Sequence, residues 1–300
     1  MSVIENALKR LQASRAAAAA VREGNHGAVT PPPAPLRRRR PAPQTDETTP
    51  TRTISIDQEA LRTAGLLPPL HQEREIAQQF RQIKRPLINA ALGRGAARVP
   101  QGNLIVVTSA LPGEGKTFTS LNLALSMALE EDLTVLLVDG DAVNPRLTQL
   151  LGLESEPGLL DVLADPEVSL TSAMVASDVP GLAFLPAGRP IANATELLSS
   201  TRMREVAAHL GEDAPRLVVF DSAPLLVTTE SQALAQLVGQ ILMVVRADDT
   251  QQHVVLEALE KLDEGKPVAL MLNQSTRHLH GAYYYPYGSG GGPREKSSGA

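Results

Sequence analysis

The feature that most constrains the fold is a strand-like apolar run followed by a glycine-rich loop and an apolar helical pattern. The run covers residues 103–109, the loop residues 112–117 and the helical pattern residues 115–130. At the start of such a helix the backbone N–H groups have no partner within the helix, so they can bind phosphate oxygens. The segment therefore predicts a nucleotide phosphate site on an α/β sheet.

Each residue type in the loop has a separate task. Gly113 and Gly115 let the backbone approach phosphate, Lys116 reaches the β and γ oxygens, and Thr117 can bind Mg²⁺. Ala110 stands where the pattern G-x-x-x-x-G-K-[ST] has its first glycine. The predicted nucleotide-binding residues of this segment are Pro112, Gly113, Glu114, Gly115, Lys116, Thr117 and Phe118.

Short β-rich runs alternate with helical patterns through the rest of this half of the chain. Strands are predicted near 103–109, 134–139, 182–186, 216–221, 240–246 and 267–273. Helices are predicted near 115–130, 145–151, 195–210, 229–237 and 250–263. Strands that alternate with helices indicate a parallel sheet covered on both faces. The fold class is therefore predicted to be α/β, a P-loop NTPase-like, mostly parallel sheet.

Carboxylates follow two of the predicted strands. Asp139 is the last residue of the strand near 134–139, and Asp141 follows two residues later. Asp221 is the last residue of the strand near 216–221. Open α/β sheets bind ligands at the carboxyl ends of their strands. Oxygen ligands suit Mg²⁺, which bridges nucleotide phosphates. The predicted metal ligands are Thr117, Asp139, Asp141 and Asp221. Asn273 ends the last strand, where it could bind the adenine edge or cap a loop.

The chain divides into four predicted segments. Residues 1–20 have apolar side chains at helical spacing, which predicts an amphipathic helix. Residues 21–70 are rich in proline and arginine and are predicted to be a disordered linker. Residues 71–280 are predicted to form the P-loop domain, and residues 281–300 a flexible tail. All four tyrosines, Tyr283, Tyr284, Tyr285 and Tyr287, lie in this glycine-rich tail.

Composition narrows the function further. The first 100 residues hold 16 Lys and Arg against 8 Asp and Glu, whereas the remaining 200 hold 12 against 25. An acidic P-loop half argues against a broad nucleic-acid-binding face there, since phosphate backbones are bound by Lys and Arg. The sequence has no cysteine and no secretory signal pattern, and its apolar runs are too short to span a bilayer. A cytoplasmic location is the expectation.

The motifs resemble those of the bacterial tyrosine autokinases, whose sites combine a Walker A loop, a second acidic motif and a Walker B aspartate. Residues 109–117, 135–141 and 218–224 are similar to these three motifs, and the tyrosine tail is similar too. Residues 2–7, 80–87 and 271–274 resemble stand-alone members found with exopolysaccharide and exosortase systems. The sequence departs from the family pattern in two motifs. Val143 stands in place of an arginine, and Gln78, Arg81 and Lys84 stand in place of a Glu-x-x-Arg-x-x-Arg motif that helps many members to form rings.

The resemblance implies transfer of phosphate from ATP to the tyrosine cluster. Lys116, Asp139 and Asp141 would be catalytic, with Asp139 as the base and Asp141 as the alternative base. The implied acceptors are Tyr283, Tyr284, Tyr285 and Tyr287. The implied partners are a membrane-embedded activator of the chain-length-determinant class, a tyrosine phosphatase and further copies of the chain. Recruitment to the inner face of the cell membrane through a partner is expected.

Two other functions are compatible with the same motifs. A partition or septum-site ATPase shares the fold, but it usually carries Lys-Gly-Gly-x-Gly-Lys, and this chain has Leu111 at the position of that first lysine. A non-catalytic adaptor could keep a nucleotide site for stability alone. The tyrosine cluster could also be an interfacial aromatic patch.

Overall fold

The computed structural model describes residues 52–94, 99–212 and 215–275. The strands of this part are β1 Arg52–Ile54, β2 Leu104–Ser109, β3 Thr134–Asp139, β4 Val175–Ser177, β5 Leu182–Leu185, β6 Arg216–Asp221, β7 Gln240–Arg246 and β8 Val268–Asn273. Its helices are α1 Gln58–Thr63, α2 Glu73–Ala91, α3 Lys116–Met127, α4 Arg146–Leu150, α5 Leu159–Ala164, α6 Leu170–Ala173, α7 Ala194–Leu198, α8 Thr201–Glu212, α9 Thr229–Leu237 and α10 Gln252–Leu259.

The strands form one sheet in the order β1-β4-β5-β3-β6-β2-β7-β8. All neighbouring strands are parallel except β4 and β5, which are antiparallel. Asp139 at the end of β3 is paired in register with Asp221 at the end of β6. The carboxyl ends of β3, β6 and β2 therefore meet at one edge, and the predicted α/β class is confirmed.

Apolar side chains cover both faces of the sheet. One cluster places Phe80 of α2 and Leu121 of α3 against residues of β2, β3 and β6, such as Leu137. The cluster on the other face joins these strands to α8 and α9 through side chains such as Met203 and Leu234. Because both faces are covered, the central strands are apolar along nearly their whole length.

The six predicted strands and the helix near 229–237 agree with the structure to within a residue at each end. The helix predicted near 195–210 is instead two helices, α7 and α8, separated at residues 199 and 200. The prediction missed β1, β4, α1, α5 and α6. Each of these has six residues or fewer, which is too short for a periodic pattern to stand out.

The predicted linker over residues 21–70 is wrong for its described part. Residues 52–54 form β1 and pair with β4, and Asp57 caps α1 by accepting from the backbone N–H of Ala60. The side chains of Leu61 and Leu66 are buried in the core. Asn122 of α3 donates to the carbonyl of Leu66 over 2.8 Å. A few well-placed leucines thus hold a proline-containing segment on the domain.

Proline usually ends or bends a helix, but α2 continues past Pro86 to Ala91. Proline removes one backbone donor. Pro86 is exposed, whereas the next two residues, Leu87 and Ile88, are buried. Packing of those side chains therefore holds the last turn of the helix.

Lys84 of the same helix is buried. Its Nζ donates to the carbonyl of Ser126 and forms an ion pair with Glu130, each at 2.6 Å. Lys84 stands at the third position of the motif that helps many family members to form rings, and here its ammonium group binds residues of its own chain.

The predicted N-terminal helix, the linker up to residue 51 and the four tyrosines lie outside the described residues. Within residues 52–94, 99–212 and 215–275, no helix has the length and apolar character needed to cross a membrane.

Candidate active site

The phosphate loop joins β2 to α3. Gly113 and Gly115 adopt left-handed backbone angles, with φ of 81° and 96°, which side chains with a Cβ rarely adopt. A Cβ at position 115 would also overlap the side-chain amide of Asn273. Lys116 is the first residue of α3, so the free N–H groups of that helix open toward the loop. The predicted strand–loop–helix unit is present.

Lys116 is buried at this helix start and lies among carboxylates. Burial lowers the pKa of its ammonium group, while the charges of Asp221, Asp141 and Glu114 oppose that shift. A lysine at the start of a helix that follows a glycine-rich loop is placed to bind phosphate. This environment is the one expected of a lysine that binds phosphate.

Asp221 at the end of β6 is buried behind the loop. Its Oδ1 accepts from the Ser120 hydroxyl over 2.9 Å, and the Thr117 hydroxyl also bonds to its carboxylate. Burial raises the pKa of Asp221 to about 6, against these hydrogen bonds and the charge of Lys116. Asp221 thus fixes the orientation of Thr117, the residue predicted to bind Mg²⁺. Ser120 was not predicted, although it lies one turn after Lys116.

Asp139 at the end of β3 does not face the cleft that contains Lys116. Only 1% of its surface is exposed. Its Oδ2 accepts from both the backbone N–H and the hydroxyl of Thr148, each at 2.8 Å, and its Oδ1 accepts from the N–H of Asp141. Burial and the charge of Asp221 raise the pKa of Asp139 to about 7. Asp139 therefore anchors α4 and the loop before it.

Asp141 is the carboxylate of this motif that reaches the cleft. It is partly exposed and lines a cleft of about 1490 Å³ together with Lys116 and Thr117. Its Oδ1 accepts from the N–H of Asn144 over 2.9 Å. Burial raises the pKa of Asp141, while hydrogen bonds and the charge of Lys116 oppose that shift. The two aspartates of the motif thus have different surroundings, although one residue separates them.

The side chain of Glu114, predicted to bind nucleotide, points away from the cleft. It is 2% exposed, and its Oε2 accepts from the N–H of Leu111 over 2.7 Å. Its Oε1 accepts from the N–H of Arg246 and the hydroxyl of Thr250. Glu114 therefore braces the phosphate loop against the end of β7 and the segment that follows it. Nothing in the sequence near the loop indicates Thr250 as its partner.

We expect Glu114→Gln to weaken ATP binding about tenfold. Glutamine has one acceptor oxygen for three donors, and its NH₂ group would face one of them, which costs about 1–3 kcal/mol. Isothermal titration with an ATP analogue measures the change. Asp161→Asn is the matched control, because Asp161 is also buried and accepts from the backbone N–H groups of Gly158 and Arg189. Equal losses of affinity in the two variants would contradict a specific role for Glu114.

The end of β8 is attached to the phosphate loop. The side-chain amide of Asn273 donates to the carbonyl of Glu114 over 2.9 Å, and that of Gln274 donates to the carbonyl of Gly113 over 3.0 Å. Of the two roles considered for Asn273, this contact matches the loop cap. Gln274 was not predicted.

Two other residues that were predicted to bind nucleotide lie at the cleft. Pro112 and Phe118 both line it. The ring of Phe118 also packs against Phe80 of α2, with ring centroids 6.2 Å apart and planes inclined at 51°. Phe118 therefore joins the edge of the cleft to the core.

The residues present fit a magnesium nucleotide. Among the described residues, no group of three or more His, Cys, Asp or Glu side chains could hold a metal ion by itself. Mg²⁺ keeps several waters and usually takes one or two protein ligands beside the phosphates. The Thr117 hydroxyl and Asp141, which line the cleft, are the groups that would hold it, and Asp221 would act by orienting Thr117. Mg²⁺ would supply positive charge at the phosphates.

The fold and this site define a P-loop nucleotide-binding α/β protein, and the AAA domain family model matches residues 102–262. Tyrosine-protein kinase YwqD of Bacillus subtilis is 31% identical over 71% of this chain and 86% of that protein. The VpsO kinase domain structure is 32% identical, with a TM-score of 0.57, and covers 68% of this chain and 98% of that chain.

The chain belongs to the bacterial tyrosine-protein kinase family, and the prediction of a kinase of this class is confirmed. ExoP of Rhizobium meliloti, a succinoglycan biosynthesis transport protein, is 31% identical over 61% of this chain. The chain spans 24% of the length of ExoP and 21% to 26% of several other long relatives.

Proposed function

We propose that this chain transfers the γ-phosphoryl group of Mg-ATP to the tyrosines of its C-terminal tail. The observation that carries the proposal is the attachment of β8 to the phosphate loop through Asn273 and Gln274. The last described residues before the tyrosines thus lie beside the loop that would bind the donor phosphates.

The reaction exchanges one P–O bond for another. The bond between the γ-phosphorus and the β–γ bridging oxygen breaks, a bond to the tyrosine oxygen forms, and the phenol proton must leave. Because the transition state is loose, catalysis depends mainly on positioning and on charge stabilisation. Lys116 and the N–H groups at the start of α3 supply that stabilisation.

We assign the proton acceptor to Asp141 rather than to Asp139, the residue first expected. Asp141 lines the cleft, whereas the oxygens of Asp139 accept from Thr148 and from the N–H of Asp141. A phenol with a pKa of about 10 is protonated at neutral pH, so a carboxylate at the cleft assists transfer. Asp139 acts by holding the loop that carries Asp141.

The acceptor tyrosines are within reach of the site. Tyr283 lies eight positions after Ser275, which allows about 26–29 Å when the chain is extended. Four strand spacings separate β8 from β3, or about 19 Å across the sheet. The length permits transfer within one chain or between two chains. The family resemblance favours transfer between copies.

Mixing two full-length variants tests the proposal. A chain in which Tyr283, Tyr284, Tyr285 and Tyr287 are all changed to Phe serves as the enzyme. A Lys116→Met chain serves as the acceptor. Phosphotyrosine should form on the tail of the Lys116→Met chain only when both proteins are present. ATP hydrolysis without tyrosine labelling in the mixture or in the wild-type chain would support the partition-type ATPase instead.

The wider role is also part of this proposal. ExoP, named for succinoglycan biosynthesis, supports a function in regulating exopolysaccharide synthesis or export. In that role a membrane-embedded activator would recruit the chain to the inner face of the cell membrane, further copies would supply acceptor tails, and a phosphatase would remove the phosphates.

A further inference from the structure

Three large apolar side chains are exposed on the loops that form the site. Val143 is 68% exposed, Val227 58% and Leu111 37%. They lie on the loops after β3, β6 and β2, which are three adjacent strands of the sheet. Exposed apolar groups that cluster beside a cleft indicate an interaction surface.

Val143 and Val227 are close to the reacting groups along the chain. Val143 lies two residues after Asp141, and Val227 six residues after Asp221. Because β3 and β6 pair with Asp139 opposite Asp221, both loops leave the sheet at the same level. Val143, Val227 and Asp141 all line the cleft that contains Lys116. The two valines therefore present an apolar surface at the mouth of the catalytic cleft.

The chemistry of this surface matches the tyrosine segment of the chain. Residues 279–287, Leu-His-Gly-Ala-Tyr-Tyr-Tyr-Pro-Tyr, include no Asp, Glu, Lys or Arg. A segment without formal charge is not selected by ion pairs, whereas its aromatic rings gain free energy from contact with exposed aliphatic groups. Where the resembled motif has an arginine, this chain has Val143.

We propose that Val143 and Val227 form a docking surface for residues 279–287 of a second copy of this chain. The surface selects an uncharged aromatic acceptor and holds its phenol beside Asp141. This inference rests on the proposed transfer to tail tyrosines, and it adds the groups that decide which tyrosine segment is accepted.

The test uses the two full-length variants described above. In the enzyme that lacks the four tail tyrosines, Val143→Ser and Val227→Ser are introduced together. Partial loss of two apolar contacts is expected to raise the KM for the Lys116→Met acceptor about tenfold. The KM for ATP should stay within about twofold, because neither side chain belongs to the phosphate loop. Leu256→Ser is the matched control, since Leu256 is 51% exposed on α10 and does not line the cleft.

The outcomes separate this inference from the proposed function. Transfer by the parent enzyme, with an unchanged acceptor KM in the double variant, would overturn the docking surface alone. A lower kcat at an unchanged acceptor KM would also overturn the docking surface. So would a rise in the KM for ATP as large as the rise in the KM for the acceptor. If the parent pair transfers no phosphate while the wild-type chain labels its own tail, transfer occurs within one chain and the docking surface alone is wrong. If neither the pair nor the wild-type chain is labelled, both the proposed function and the docking surface are wrong.

Discussion

Lys116→Met is expected to lower the rate of tyrosine phosphorylation about a thousandfold. The ammonium group of Lys116 is buried beside Asp141 and Asp221, so it acts on the phosphates in surroundings where charge is poorly screened. Removing one preorganised group of this kind costs about 100- to 1000-fold in rate. Phosphotyrosine formed in a single turnover, followed by quenched flow, measures the effect.

Lys266→Met is the matched control for this variant. Burial also lowers the pKa of Lys266, and its Nζ donates to backbone carbonyls at the end of α9, including those of Ala235 and Val238. We expect Lys266→Met to lower the unfolding temperature while the transfer rate stays within about twofold, since it lies outside the cleft. Comparable losses of transfer in the two variants would show that the effect of Lys116 is structural.

Asp141→Asn should lower kcat, measured at saturating Mg-ATP, about 100- to 10,000-fold. The substitution keeps the shape of the side chain and removes the basic oxygen assigned to the phenol proton. Asp139→Asn should lower kcat less, because Asp139 contacts Thr148 and the backbone of Asp141 instead of the cleft. Steady-state kinetics at saturating Mg-ATP measures kcat of the two variants. A larger loss of kcat in Asp139→Asn than in Asp141→Asn would contradict the assignment.

Elements with a strong local pattern could be predicted from the sequence. The buried strands near 104–109 and 134–139 are apolar along nearly their whole length because helices cover both faces, and that burial leaves a clear pattern. Residues 52–70 share the linker prediction of the proline-rich residues before them, although their only prolines are Pro68 and Pro69. These residues are held on the domain by a few long-range contacts, such as the hydrogen bond from the Asn122 side chain to the carbonyl of Leu66. A local sequence pattern does not indicate such contacts.

The candidate site could be predicted by residue type but not by orientation. Lys116, Thr117 and Asp141 line the cleft as expected. Asp139 and Glu114 do not present their side chains there, because Thr148 and Thr250 engage their carboxylates. Thr250 lies 136 residues from Glu114, so its pairing depends on the completed sheet.

Mass-spectrometric mapping of phosphate on the wild-type chain after incubation with Mg-ATP tests the central claim most directly. The account predicts phosphate on tyrosines of the segment from 283 to 287, at high occupancy in the wild-type chain and near zero in Lys116→Met. Phosphate at other residues with an unmodified tail, or equal occupancy in the two proteins, would contradict it.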